Sequence, residues 1–368
     1  MLSALAADRT SLAALKSQIA NLEQSLALLH LEASQVKRRL DAYSYPVLTL
    51  PDEIVSEIFI HFLPPYPACP PLAGLDAPVL LTHICRRWRA IAIATPQLWQ
   101  AVSFSGVGST IFNPNNIWLT GRSGCCPLSI RMLKKECSFY GLERLFAAIL
   151  PYHAQWEYLR LQFESHWMNS LPAIEDELPR LRHLDLEVFN HIFWNFELPH
   201  APLLSSAVLN VIAAHSVVLP WTQLTFLCLH RITLDNCETI LRKVPNLVEC
   251  YLDLFVDDFD FTIQPRITLP RLQSLRLNGD GGMNGCLDAF TLPALTALDV
   301  CEWLIELEPV DDITSLLSRS ACTLRHLCIM GATHDDTYRT AFSFIQDLHL
   351  KPADESDFDS SWNVHLIP

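Results

Sequence analysis

The chain has 368 residues, enough for about two or three domains with a sizeable core. Its formal net charge of -14, from 26 basic against 40 acidic residues, argues against general affinity for nucleic acid or an anionic membrane, because neutralising phosphates requires Lys and Arg. The 12 cysteines include no C-x-x-C and no H-E-x-x-H occurs, so no zinc or thioredoxin-like signature is present and reduced, mostly buried thiols are expected.

The first residues, "MLSALAADRT", lack a basic n-region and meet Asp8 before an apolar run of signal-peptide length, so no secretion signal is expected. Residues 5 to 43 carry a heptad without Pro or Gly. Leu5, Leu12, Ile19, Leu26, Ala33 and Leu40 occupy position a, and Leu15, Leu22, Leu29, Val36 and Tyr43 occupy position d. Such a run forms either a coiled coil, including a possible homodimer, or a long helix packed on its own protein. The e and g residues specify a partner weakly, which favours packing on the chain itself, with Ala33 at a close crossing.

"LPDEIVSEIFIHFLP", residues 50 to 64, predicts a helix begun at Pro51, with Asp52 and Glu53 suited to the positive end of its dipole. At about 100° per residue, Ile54, Val55, Ile58, Phe59, Phe62 and Leu63 share one arc. Ile60 falls on the polar arc, so the helix is expected to be covered on more than one side. A Pro-dense loop follows over residues 64–78. Residues 80–104 then read as a helix with Leu80, Leu81, Ile84, Trp88 and Ile91 inward, broken before Pro96 and anchored by Leu98 and Trp99. Arg86, Arg87 and Arg89 are expected on a solvated face.

From about residue 125 the chain repeats short apolar strands of the form L-x-x-L-x-L. Their middle positions are 159, 184, 207, 227, 250, 275, 298 and 327, with successive separations of 25, 23, 20, 23, 25, 23 and 29 residues. These fall in the range of about 20–29 for leucine-rich repeats, and each unit would need its neighbours to complete a core. Residues 198–230 contain no Asp, Glu, Lys or Arg, yet Pro202, His215, Pro220 and Gln223 interrupt them, so they read as buried strands and their connection rather than a membrane span.

"LPDEIVSEIF" and "ICRRWRAIAIATPQLW" together resemble the F-box, and an F-box followed by leucine-rich repeats resembles the F-box/leucine-rich-repeat family of ubiquitin-ligase substrate receptors. The resemblance implies a small helical F-box (46–104) followed by a leucine-rich-repeat solenoid (125–350); with the heptad helix before them (1–45) and an acidic, Ser-rich, flexible tail after them (351–368), the expected chain is α/β. The resemblance also implies docking on the adaptor of a cullin-based SCF ligase through Leu50, Pro51, Ile54, Ile58, Phe59, Ile84, Trp88 and Trp99. The repeats would hold a protein substrate in the cytoplasm or nucleus. The Pro-rich stretch is longer than the family's usual link, and the repeats lack a regular Asn or Cys ladder.

Enzyme signatures fail on spacing. "GDGGMNG" (279–285) has no following Lys-Ser/Thr, and "GRSG" (121–124) lacks the G-x-S-x-G elbow. "VDDFDF" (256–261) and "HDD" (334–336) do not match a calcium loop. The expectation is therefore a non-enzymatic adaptor with no cofactor, no metal, and neither nucleic acid nor membrane among its partners. The competing reading is a structural scaffold that mediates protein–protein contact.

Overall fold

A computed structural model of the chain describes residues 2–43, 46–104, 121–133, 149–164, 177–189, 196–198, 200–255, 267–279, 281–283, 285–305 and 308–351. The acidic run 256–261, Cys137 and nearly all of the acidic tail lie outside the described residues. The chain divides into two compact units, Met1–Glu57 and Ile58–Pro368.

The first unit is dominated by helix α1 (Leu2–Ala42). A 3-10 turn at Pro46–Thr49 follows, in which the Thr49 hydroxyl donates to the Pro46 carbonyl at 2.7 Å. Helix α2 (Asp52–Phe62) then begins and runs on into the second unit. The Pro51 carbonyl accepts the Val55 N–H at 3.1 Å, so Pro51 caps the helix instead of opening it, while Asp52 and Glu53 fill the first turn. Within this unit the described a and d leucines, with Ile19, Val36 and Tyr43, are exposed by between 40% at Val36 and 69% at Leu22 and Leu40.

In the second unit, α3 (Leu81–Ile84) and α4 (Arg86–Ala94) are separated by an extended residue, Cys85, at φ -153° and ψ 169°. The Cys85 side chain serves as a cap, its sulfur accepting the Trp88 N–H at 3.4 Å. A single parallel sheet follows: β1 (Ala101–Ser103), β2 (Leu128–Met132), β3 (Trp156–Glu164), β4 (His183–Phe189), β5 (Ser206–Asn210), β6 (Phe226–Ile232), β7 (Glu249–Leu254), β8 (Ser274–Gly279), β9 (Ala297–Cys301), β10 (His326–Met330) and β11 (Asp347–Lys351). Each strand pairs with the next in chain order.

These strands form because alternate residues are apolar and bury one face. Leu159, Leu184, Ala207, Leu227, Cys250, Leu275, Leu298 and Leu327 are successive cross-strand neighbours, and all are buried. Short helices between the strands add to the core. Helix α5 (Val211–Ser216) contributes Ala213 and Ala214, α6 (Leu234–Leu241) contributes Cys237 and Ile240, α7 (Pro309–Ser320) contributes Ile313 and Leu316, and α8 (Asp335–Ala341) contributes Tyr338. Gly331, at φ +75°, lies under the Trp303 ring, where an added Cβ would come within 2.6 Å.

The expected leucine-rich-repeat solenoid is corrected by this architecture. What forms is an α/β fold with one 11-stranded all-parallel sheet and a long N-terminal helix. The period has a simpler origin than a solenoid coil. Parallel neighbours cannot be joined by a tight hairpin, and a crossover of a dozen or more residues must return the chain to the same end of the sheet. One strand plus one crossover gives the observed spacing. The crossovers share no single covering element: some hold helices of six to twelve residues, the one before β9 holds a 3-10 turn at Cys286–Ala289, and two short parallel pairs, Phe196–Glu197 with Val217–Val218 and Ile267–Thr268 with Phe290–Thr291, link neighbouring crossovers.

The Pro-rich stretch is a built part of the second unit. Pro71 bridges Ser103 of the edge strand β1 in parallel, with Leu72 N–H to Ser103 carbonyl at 3.1 Å and Ser103 N–H to Pro70 carbonyl at 2.8 Å. Prolines are tolerated there because an edge needs donors on one side only. Tyr66 Oη donates to Glu157 at 2.8 Å and the Ser129 hydroxyl donates to the Pro67 carbonyl at 2.7 Å, tying the segment to β2 and β3.

The register makes a direct test. Leu275 is buried and Arg276 points to the other face, paired with Asp299 at 2.9 Å. Leu275→Asp should cost several kcal/mol, about enough to threaten a marginal domain, whereas Arg276→Gln should cost about 1 kcal/mol or less. Urea unfolding of the two variants checks this, and equal stabilities would mean the register is wrong.

Candidate functional site

Helix α2 has more apolar surface than its surroundings cover. Val55 and Phe59 are 2% and 1% exposed, and Ser56, Ile60 and Leu63, which flank them on the same side, are half-buried. Ile54, Ile58 and Phe62, at i, i+4 and i+8, remain 50%, 49% and 41% exposed. The buried face therefore sits further round the helix than the sequence pattern suggested, and Ile60 belongs to it. A globular helix needs an apolar stripe about 100° wide, and the apolar arc of α2 is wider than that, so its Ile54, Ile58 and Phe62 edge stays open.

The inner side of the helical segment is filled by aromatic rings. Phe59 meets Trp88 edge to face with centroids 4.9 Å apart. Trp99 is fully buried and donates its indole N–H to the Ala92 carbonyl at 2.8 Å, while the Thr95 hydroxyl donates to the Ile91 carbonyl at 2.8 Å. Arg89 Nε donates to the Thr82 carbonyl at 2.7 Å, which locks α4 to α3. Ile84 ends α3 and is 54% exposed, and Ile93 on α4 is 40% exposed.

The eight residues implied as adaptor contacts thus separate into two sets. Pro51, Ile54, Ile58 and Ile84 are exposed, and Leu50 and Trp88 are half-buried. Phe59 and Trp99 face the core of the chain. Phe59 and Trp88 are brought together. Phe62 and Ile93 are exposed apolar residues outside the expected set, and the i, i+4, i+8 spacing of 54, 58 and 62 was the sequence signal for the first of them.

A second surface comes from the non-leucine positions of the strands. In register along the sheet they read Arg160, Asp185, Val208, Cys228, Tyr251, Arg276 and Asp299. Val208, Cys228 and Tyr251 form a buried apolar cluster with Phe226 against it. Ion pairs flank the cluster: Arg160 Nε lies 2.8 Å from Asp185, and Arg276 Nε lies 2.9 Å from Asp299, which also has His326 at 3.3 Å. Asn278 donates to Asp253 at 3.1 Å. Burial pushes the Asp185 carboxyl up to about 6, with Arg160 opposing. Burial, with the nearby Arg160 charge, drives His183 down to about 4, and its ring lies 2.9 Å from the Ser206 hydroxyl.

This face offers recognition chemistry more readily than covalent chemistry. Cys228 lies 3.3 Å from His230, but burial drives the thiol well above its ordinary pKa, so the pair does not present a thiolate nucleophile. Among the described residues no group of three or more His, Cys, Asp and Glu is placed to hold a metal ion. Nor is any described helix long and apolar enough to cross a membrane. "GRSG" forms a turn, with Gly124 N–H to Gly121 carbonyl at 3.2 Å, and "HDD" starts α8 in solvent. No protein-family model matches the chain, and no curated protein matches it.

Asp185 gives this face a pH signature. Its carboxyl titrates near 3.8 when unfolded and near 6 when folded, so between those values the folded state holds the extra proton. Stability at this site therefore falls as pH rises from about 4 through about 6, by on the order of 3 kcal/mol. Asp185→Asn should flatten that segment of the stability–pH curve in urea unfolding; an unchanged slope would mean that Asp185 titrates normally.

Proposed function

We propose that the chain is a non-catalytic receptor that holds a protein substrate next to a ubiquitin-transfer machine, with its F-box-like segment seated on the adaptor of a cullin-based ligase. The observation that carries this reading is the exposed apolar set Ile58, Phe62 and Ile84 on helices whose inner side is already filled by Phe59, Trp88 and Trp99. Exposed Ile and Phe on a well-packed scaffold gain nothing from water, and an interface is their usual reason. Exposed Arg86 on α4 would suit an acidic adaptor surface.

On this reading the sheet face with its Arg–Asp pairs is the side offered to the substrate. Arg160 and Arg276, part-exposed beside a buried apolar centre, are of a residue type enriched among the strongest protein–protein contacts. No bond is made or broken by the chain. Its effect on rate is proximity, which raises the effective concentration of substrate at the transfer site.

The test is capture of the adaptor from the purified pair. Adaptor should co-purify with the chain in near-equal amount, and Ile58→Asp with Ile84→Asp should reduce capture at least about tenfold while stability moves by only about 0.5 kcal/mol, as for a surface change. Trp99→Ala should behave in the opposite way, costing about 3–5 kcal/mol of stability through the cavity it leaves. No adaptor capture by the unaltered chain would sink the receptor reading and favour a scaffold.

A further inference from the structure

We propose that α1 forms a parallel, in-register, two-stranded coiled coil with α1 of a second copy of this chain, so that the protein is a homodimer. The proposal does not rest on the adaptor reading, since it uses only α1. Three observations carry it. The first is the spacing: nine consecutive seam positions from Leu12 to Leu40 recur every 3.5 residues on average, and Ala33 is the one small residue among them. A straight helix drifts from that spacing, and the pattern stays on one side only if two helices supercoil around each other.

The second is area. From Leu12 to Leu40 the exposed seam is about 42 Å long at 1.5 Å per residue. On a helix about 10 Å across, that stripe falls among the largest apolar patches monomers leave open, about 300–600 Å². Counted on both copies, it comes to about 800 Å², the size of a weak association, so the dimer is expected to depend on concentration. The seam-flanking Ser25 hydroxyl, at position g, already donates to the Asn21 carbonyl at 2.9 Å within the helix.

The third is charge. A parallel pairing sets Ser11 against Lys16, Gln18 against Glu23, Ser25 against His30, and Glu32 against Lys37 of the partner helix. No described pair is like-charged, and the Glu32–Lys37 attraction occurs twice by symmetry. An antiparallel pairing of full overlap instead sets Arg9 against Lys37 twice and Glu23 against Glu23. Asp8 falls on a d position and would face its own copy, so the seam starts at Leu12.

The helix supplies its own control. Leu28 and Leu31 are 62% and 55% exposed, much like the seam residues, but fall at positions c and f on the far side. Sedimentation of the full chain at about 1–50 μM should give twice the 41.6 kDa chain mass. Leu22→Asp with Leu29→Asp should give a monomer whose sheet still melts cooperatively, whereas Leu28→Asp with Leu31→Asp should stay dimeric. Ala33→Cys should form a reducible cross-linked dimer beyond any seen with the unaltered chain, because parallel a positions face each other. A monomer at all concentrations, equal dissociation by both double variants, or a dimer that Ala33→Cys fails to cross-link would each overturn the proposal.

Discussion

Parallel pairing is the constraint on which the second unit depends. Strands that all run the same way must each be reached by a crossover, and the pleat then sends alternate side chains to opposite faces. Nine side chains from Ile130 to Leu327 consequently stand in one buried row across β2 to β10. A slip of one residue in any strand would turn its leucines outward and its Arg or Asp into the core, so the register is strongly specified.

The same alternation produces the other face. Most all-parallel sheets are covered on both sides and read as continuous apolar runs. Here the second face carries charged and polar residues with an apolar centre at Val208, Cys228 and Tyr251. Charges on that face are compensated across strands, as in Arg160 with Asp185 and Arg276 with Asp299, which limits the cost of holding them near a low-dielectric sheet. Asp185 is the most desolvated of them, and its raised pKa records what the pairing does not recover.

Much of this was legible from the residues, and what was missed has physical causes. The strands could be placed because L-x-x-L-x-L alternation is local. The polar face could not, since partners such as Arg160 and Asp185 lie 25 residues apart and meet only once the register exists. Ile84 was expected inward because residues 80–94 looked like one helix. The extended Cys85 resets the helical phase, and Ile84 turns to solvent. On α2 the apolar arc is so wide that periodicity alone did not say which part of it would be buried. The solenoid expectation failed for a related reason: spacing near 25 residues measures a strand plus its crossover and does not identify what covers the sheet.

The helical segment leaves Ile58, Phe62 and Ile84 open, which the proposed receptor role assigns to the adaptor, while the strands bury their own leucine row. Amide hydrogen exchange of the full chain, free and with purified adaptor, measures both halves at once. Exchange should be slow in β6, β7 and β8 in either state, and new protection should arise within residues 52–62 and 81–94 on adding the adaptor. No change in those helices with a saturating adaptor, or protection confined to the strands, would contradict the receptor role.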